Sequence, residues 1–540
     1  MITTVFLLIV GLCDGFMLNN NRFVNSVNNR ITSTLPITMV YRPSELIKQV
    51  ARGGLGDEWT YNDLKIRALQ KANILKQKGF KKGDAITVFI QDPKEFILYW
   101  IASNLLGLLF VALNTAIRGS VLLHQIKISK SKYVIVEDIF FEEVHELINK
   151  NNLEAYSLNS KELSSVHLID ESQVDFGKLS DDVCVMFTSG TSGPSKGVMM
   201  PNAHCVLFAI GTIENYNLKQ HHNFYISLPL FHANGLFMQL LACLMTGAKA
   251  IIRSKFSASN WLDDIRKYQI THTNMLGAIA AFVVSQPPSK HDKDHQLIVI
   301  GSAPLPSEPE RIFRERFGVK HVLPLYGMTE VNIPIYGLNN EIGGGKCGKV
   351  YEKYFEVEIR DPDKDIPIED GMVGEIMVRP KQPFGFMSGY MGMPDKTIET
   401  WRNFWFHTGD AGIREPSGHF IFVDRIKDCI RRRGENISSY EVEQAFLEIP
   451  YITEAAAYAI PADGGDGMED EVMVALMIHD DITINFENLI NSAKNNLAKF
   501  SIPKYLRIMK EFPKTQTGKI QKNKLREEGV TVDTWQNYNI

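Results

Sequence analysis

Apolar residues recur along this chain in two alternating rhythms. After Thr60, a helix start with Asp63 in the first turn, Leu64, Ala68, Ala72 and Leu75 return at helical spacing until Gly79. From Asp84 to Ile90 the pattern changes to a compact apolar run rich in β-branched residues, which predicts a strand. Pro93 opens a second helix reaching about Leu106, Gly107 stops it, and Leu108 to Leu113 is the next strand. Strand, helix, strand at this separation is a βαβ unit, so a parallel sheet is expected. The alternation continues through Tyr133–Val136, Val183–Phe187, Ala248–Ile252 and Leu297–Ile300. Beyond about Asp424 the elements shorten. A helix starts at Ser439, strands lie near Ala455–Ile460 and Glu471–Ile478, and a helix runs from Phe486 to Leu497. The prediction is an α/β protein: a leader over 1–40, a large domain of layered sheets and helices over 41–424, a small α+β domain over 425–528, and a tail over 529–540.

Composition narrows the classes. A chain of 540 residues exceeds one typical hydrophobic core. With 62 acidic against 58 basic side chains the net charge is −4, so no overall basic field points to nucleic acid. The six cysteines are scattered without a C-x-x-C pair, which fits reduced thiols in an intracellular protein and offers no zinc pattern. Val5–Leu12 is apolar but too short to span a membrane, and no basic residue precedes it. The stretch to about Arg42 is almost free of acid. Two readings stand for this leader: a cleaved targeting segment, or a disordered extension upstream of a true start at Met39. No transmembrane helix is expected, peripheral membrane contact stays open, and the last residues are not a peroxisomal tripeptide. The oligomeric state is not legible.

The chemistry centres on Phe187-Thr188-Ser189-Gly190-Thr191-Ser192-Gly193-Pro194-Ser195-Lys196-Gly197. A buried strand turns polar and glycine-rich within one residue. Glycines let backbone N–H groups approach a phosphate, four hydroxyls add donors, and Lys196 adds a mobile charge. It is not the common P-loop, because Ser195 stands where that pattern needs glycine and Gly197 follows the lysine.

Further polar knots follow apolar segments. His232 lies in Leu228–Gly235, and Gly301-Ser302-Ala303 follows a strand. Tyr326-Gly327-Met328-Thr329-Glu330 sets a hydroxyl beside a carboxylate at a strand end, which suits a phosphate oxygen and Mg²⁺. His407-Thr408-Gly409-Asp410 offers an Asp that can hold ribose hydroxyls. Asp424-Arg425-Ile426-Lys427 is followed by Arg431-Arg432-Arg433-Gly434-Glu435-Asn436, where a basic triplet at a domain boundary suits an anionic ligand. Lys519 follows Gly518 in a polar turn. Taken singly these are a core histidine, turns, solvated charges and a surface lysine. His291-Asp292-Lys293-Asp294-His295 is read as an exposed loop, not a metal site.

Together, and in this order, Thr188–Val198, Tyr326–Glu330, His407–Asp410, Asp424–Lys427 and Pro513–Lys519 resemble the core motifs of the adenylate-forming superfamily. That superfamily includes acyl-CoA synthetases, luciferases and peptide-synthetase adenylation domains. The resemblance covers about Thr60 to Leu525. Arg431–Ser438 resembles the acyl-CoA synthetase version. Gln286–Ser289 and Ala498–Pro503 resemble the carnitine/crotonobetaine-CoA ligase branch. Asn403-Phe404-Trp405 departs from the family's usual Asp-Gly-Trp, in a loop with no reacting group.

The resemblance implies an ATP-dependent ligase with ATP, CoA, Mg²⁺ and a small carboxylic acid as cofactors and partners. A carboxylate would attack the α-phosphate of ATP to give acyl-AMP and pyrophosphate, and CoA would then take the acyl group. It implies that Thr188, Ser189, Gly190, Thr191, Ser192, Gly193 and Lys196 hold the outer phosphates, Glu330 the metal, and Thr329 and Lys519 the α-phosphate. Tyr326 and Gly327 would line the nucleotide, and Asp410 and Arg425 would hold the ribose. Lys519, Thr329, Glu330 and His232 would be the catalytic residues, and His232, Gly277, Gly301, Ser302 and Ala303 would form the acyl pocket. A mobile small domain would turn about Lys427 and bring Arg433 and Gly434 to CoA. Two alternatives are an adenylate with a non-CoA acceptor, as in luciferases or carrier loading, and a catalytically silent nucleotide or acyl binder. The sequon Asn436-Ile437-Ser438 falls inside the CoA motif, which favours cytosol or an organelle matrix, mitochondria included, over secretion.

Overall fold

The computed structural model describes residues 58–538 apart from 161–166, 170–173, 176, 189–193, 304, 306, 338–345, 363, 426–428, 433–434, 463–469, 480–483, 514–519 and 521. The first helix, α1 (Tyr61–Gln77), is set by a reciprocal cap. The Thr60 hydroxyl accepts from the Asp63 N–H, and the Asp63 carboxylate accepts from the Thr60 N–H. These bonds satisfy two of the orphan donors at a helix start. Helix α2 (Pro93–Leu105) begins on Pro93 with Asp92 as its cap, and ten consecutive residues from Phe96 to Leu105 are buried. It is therefore a core helix, not an amphipathic surface one.

Two sheets build the large domain. In the first, β1 (Ala85–Phe89), β2 (Leu109–Ala112), β3 (Tyr133–Val136), β4 (Tyr156–Asn159) and β5 (Asp182–Thr188) run parallel in the order β5-β2-β1-β3-β4. Helix α3 (Gly119–Ser129) lies between β2 and β3 in the chain. The strand β6 (Lys196–Pro201) then pairs antiparallel with β5. The strand after the phosphate-loop sequence thus turns back against β5, whereas a common P-loop leads from strand to helix. Helix α4 (Asn202–Asn215) follows β6.

Among the described residues the second sheet has eleven strands. Its first half, β7 (Asn223–Ile226), β8 (Lys249–Ile252), β9 (His272–Leu276), β10 (Val299–Ala303) and β11 (His321–Met328), is parallel in the order β8-β7-β9-β10-β11. From β12 (Asn332–Tyr336) onward, through β13 (Lys346–Val350), β14 (Phe355–Arg360) and β15 (Gly374–Pro380), it is antiparallel. The short strand β16 (Gly389–Tyr390) crosses back to pair with β6 of the first sheet. The pair β17 (Phe406–Arg414) and β18 (Phe420–Arg425) completes the antiparallel half.

The small domain consists of the hairpin β19 (Cys429–Arg432) and β20 (Glu435–Ser438), helix α5 (Ser439–Leu447), and a sheet of β21 (Ile452–Pro461), β22 (Asp470–Ile478), β23 (Tyr505–Ile508) and β24 (Trp535–Gln536). Helices α6 (Phe486–Lys494) and α7 (Lys522–Glu528) pack on it. Its two apolar clusters draw only on residues from Ile430 onward, while the buried members of the large domain's clusters end at Phe420. Arg432, from the basic triplet, is 1% exposed. It reaches the Glu471 carboxylate at 2.7 Å and the Phe500 and Ile502 carbonyls, so it braces the small domain's interior instead of facing a ligand. The segment His291–His295 is largely exposed, but Asp292 is buried and bridged to Arg316 at 2.5 Å. Among the described residues there is no cluster of three metal-ligating side chains, and no helix long and apolar enough to cross a membrane.

Candidate active site

Parallel strands of both sheets end at one place. Thr188 closes β5, Leu276 closes β9, Ala303 closes β10, and Met328 closes β11, with Leu228 two residues past β7. All five line a single cavity of about 800 Å³. The carboxyl ends of parallel strands are where open α/β sheets leave a crevice for ligands.

On one wall the predicted phosphate and metal residues meet. The Thr188 hydroxyl donates to Glu330 Oε1 at 3.2 Å, and the Tyr390 hydroxyl donates to the same oxygen at 3.1 Å. Lys196 Nζ lies 3.3 Å from that hydroxyl and 4.4 Å from the centre of its ring. Glu330 is only 3% exposed. A buried carboxylate held by hydroxyls is a hard-oxygen donor, and Mg²⁺ takes one or two such carboxylates with substrate phosphates for the rest. Glu330 therefore fits the metal role. Residues 189–193, with Ser189, Gly190, Thr191, Ser192 and Gly193, lie outside the described residues.

Thr329 and Glu330 form the turn between β11 and β12, and that turn is held from below by a residue the sequence reading did not single out. His204, on α4 and fully buried, places Nε2 2.8 Å from the Thr329 carbonyl and Nδ1 2.8 Å from the Gly385 carbonyl. Burial pulls its pKa down to about 4, against the opposing pull of the two carbonyls. The Asn332 amide donates to the His204 carbonyl at 2.9 Å from a left-handed backbone, φ 70°. Asn is among the few non-glycine residues that adopt that conformation readily.

In the same cavity Tyr326 donates its hydroxyl to Asp410 Oδ2 at 2.8 Å. Asp410 stands on β17, directly across the ladder from Arg425 on β18. The Glu375 carboxylate accepts from the Gly409 N–H at 2.9 Å and lies 3.1 Å from His407 Nδ1, which shapes the segment that carries Asp410. Gly327 also lines the cavity.

Of the predicted acyl-pocket residues, His232 and Ala303 line the cavity, beside Phe208, Asn234, Met238 and Ile333. Gly277 starts the helix after β9, and Gly301 and Ser302 lie within β10. A Cβ on Gly301 would stand 1.6 Å from the Tyr216 hydroxyl, so the glycine makes room for that ring. Tyr216 in turn donates to Asn274 Oδ1, and Asn274 donates to Asn234.

The small domain closes the cavity with Glu435, Ile437 and Glu441. Glu435 Oε2 lies 3.7 Å from His232 Nε2. Glu435 directly follows Arg433 and Gly434, which with Lys427 and Lys519 lie outside the described residues. Tyr390, His204, Glu375 and Glu441 escaped the sequence reading because each acts through partners 32 to 246 residues distant in the chain.

A model of the AMP-binding enzyme family matches residues 42–391, and the model of the AMP-binding enzyme C-terminal domain matches residues 441–519. Mouse long-chain fatty acid transport protein 6 is 27% identical over 508 residues, which cover 88% of this chain and 82% of that protein. The crotonobetaine/carnitine–CoA ligase of Shigella dysenteriae is 28% identical over 501 residues, 88% and 94% of the two chains. Two structures of o-succinylbenzoate CoA synthetase (MenE) from Bacillus subtilis share the fold at 24% identity. One, a double mutant bound to a CoA product analogue, overlays with a TM-score of 0.78 and covers 90% of this chain and 96% of that one. The other, in complex with AMP, overlays at 0.63 and covers 89% and 96%. Domain matches over both parts of the chain, together with the fold and the converging motifs, identify this protein as a member of the AMP-binding enzyme family, within the adenylate-forming superfamily.

Proposed function

We propose that this protein is an ATP-dependent, AMP-forming acyl-CoA synthetase. The observation that carries the reading is the convergence of Thr188, Lys196, Tyr326, Thr329, Glu330 and Asp410 on one cavity that Glu435 of the small domain also lines. The first half-reaction is a problem of charge. An anionic carboxylate must approach a polyanionic nucleotide, and fixed cations and donors lower that repulsion most effectively where water is excluded. Lys196 and the 188–195 segment hold the outer phosphates, Thr329 and Lys519 the α-phosphate, and Asp410 with Arg425 the ribose. Mg²⁺, when bound on Glu330, neutralises phosphate charge. The acid then sits at the strand ends near His232, Ala303 and Asn234.

In the second half-reaction the CoA thiolate attacks the acyl carbonyl and AMP leaves. The small domain begins at about 425, with Lys427 as the hinge, and Arg433 and Gly434 face CoA. The orientation of the small domain supports this step. Glu435 and Ile437, on the strand that follows 433–434, line the cavity. The names of the relatives span carnitine, crotonobetaine and fatty acids, and the pocket offers apolar Phe208, Met238 and Ile333 beside polar His232 and Asn234. Pyrophosphate exchange into ATP, run over carnitine, crotonobetaine and fatty acids of graded length, tests the reading. Exchange with some acid, followed by CoA-dependent release of AMP, is expected. No exchange with any acid from folded protein overturns it, and adenylate formation without CoA dependence favours a different acceptor.

A further inference from the structure

The cavity is lined by one side-chain amide whose orientation is fixed from inside the protein. Asn234, two residues past His232, opens a π-helical segment, Asn234–Leu241. A π-helix stacks residues five apart, and Gln239 reaches back to donate its amide to Asn234 Oδ1 at 3.0 Å. Asn274, on β9, donates to the same oxygen at 2.9 Å. The direction of these bonds is set deeper in the core. The buried Tyr216 hydroxyl gives its proton to Asn274 Oδ1 at 2.9 Å, which turns the Asn274 amino group toward Asn234. Asn234 must meet that donor with its oxygen. Asn274 and Gln239 are fully buried, whereas Asn234 is half-buried and lines the cavity. With Oδ1 occupied twice from within, Nδ2 is the end left to the cavity, and it has no hydrogen-bond partner among the described residues. Gln239 in turn leaves its own buried Oε1 without a partner among the described residues. Such exceptions to polar pairing concentrate where an arrangement serves function more than stability.

We propose that Asn234 is a specificity-determining residue whose Nδ2 donors read an acceptor oxygen on the chain of the acid, so that the substrate is a hydroxy or oxo acid and not a plain fatty acid. The inference rests on reading the cavity as an acid-activating site. A bare alkyl chain would strip Nδ2 of water and return no bond, while a chain hydroxyl or keto oxygen accepts one. A site built to hydrogen-bond a substrate oxygen discriminates strongly against the analogue that lacks it. Phe208, Met238 and Ile333 in the same lining disfavour a second full charge, so the oxygen that is read is a neutral one. A quaternary ammonium has no acceptor to offer an amide N–H, so an onium group is not what Asn234 selects.

The test is ATP–pyrophosphate exchange by the full chain over matched acids of graded length, each as the alkyl, hydroxy and oxo form, with the oxygen walked from the α to the δ carbon. In wild type, the hydroxy and oxo forms at one position should exceed the alkyl acid of the same length by about 10- to 100-fold in rate per acid concentration, because the alkyl chain leaves a desolvated donor unpaired. Asn234→Ala should erase that margin. Asn234→Asp keeps an oxygen for Asn274 and Gln239, which protects the fold, and replaces the donor end with a second acceptor. A hydroxyl can still donate to it and a keto oxygen cannot, so the oxo-to-hydroxy ratio at that position should fall about tenfold or more. A merely structural role lowers every acid alike and leaves this ratio where it was. Wild type indifferent to the oxygen at every position, an Asn234→Asp variant with the wild-type ratio, or an equal loss across the panel in Asn234→Ala would each overturn the proposal. Absence of exchange with every acid would instead overturn the functional reading. Calorimetric titration of the same acids into wild type and Asn234→Asp, which needs no turnover, would then judge the amide by the same ratio.

Discussion

Tyr390 donates its hydroxyl to the Glu330 carboxylate across 3.1 Å, and Lys196 approaches the same hydroxyl at 3.3 Å. One phenol thus links the proposed metal ligand to the proposed phosphate cation, although it lies 60 residues from the first and 194 from the second. Tyr390→Phe removes both bonds and keeps the ring beneath Lys196. Adenylation, read as ATP–pyrophosphate exchange, should fall about tenfold, the loss of a hydrogen bond to charged groups. Acyl transfer from supplied acyl-AMP should hold.

Asp410 and Tyr326 form a second hydrogen-bonded pair in the cavity. Asp410→Ala should raise the KM for ATP by roughly 10- to 100-fold, and Tyr326→Phe, which removes one orienting bond, by no more than about tenfold. Comparable effects of the two variants would remove Asp410 from direct contact with the nucleotide.

Lys519 is proposed to act on the α-phosphate only during adenylation. Lys519→Ala should slow pyrophosphate exchange by about 100-fold or more, by analogy with losing one preorganised charge-stabilising donor. Transfer from supplied acyl-AMP should be largely spared. An equal fall in both half-reactions would contradict the role.

Gly119, at φ +56°, lies against the small domain. A Cβ there would stand 2.2 Å from Asn496 Oδ1 and 3.2 Å from its Cα. Gly119→Val should hinder the docked orientation and slow thioester formation while leaving adenylation intact. The left-handed backbone adds a separate cost to stability of about 1–2 kcal/mol. Asn496→Ala in the same chain should restore part of the thioester rate but none of the stability, which separates the clash from the strain.

His204 makes stability depend on acid. Its folded pKa of about 4 lies below the ordinary histidine value because burial disfavours the imidazolium. A depressed pKa gives stability that is present above about pH 6.5 and is lost as pH falls through about 4. The difference corresponds to about 3 kcal/mol. Urea midpoints should therefore decline over that window, and less steeply in His204→Gln. An unchanged slope would mean that this imidazole is solvated.

Much of this molecule was legible where the determinants are local. The Thr60 cap, the Pro93 helix start and the βαβ spacing are set by residues within a few positions of one another, and their elements appear as expected. The five motifs could likewise be read because glycines, hydroxyls and charges cluster within short stretches. The same local reading mistook Arg432 for part of a ligand-facing triplet, since nothing nearby announces Glu471, its partner thirty-nine residues on.

The sequence by itself determined the repertoire: which strands and helices form, where glycines, hydroxyls and charges cluster into motifs, and which family those motifs belong to. Only the tertiary structure decided the company each side chain keeps. It turned β6 back against β5, brought Tyr390 across from the end of the large domain, set His204 beneath Thr329, and put Glu441 on Ser195. Hydrogen bonds and ion pairs act over about 3–4 Å whatever the separation along the chain, so their partners become known only when the sheets bring distant segments together.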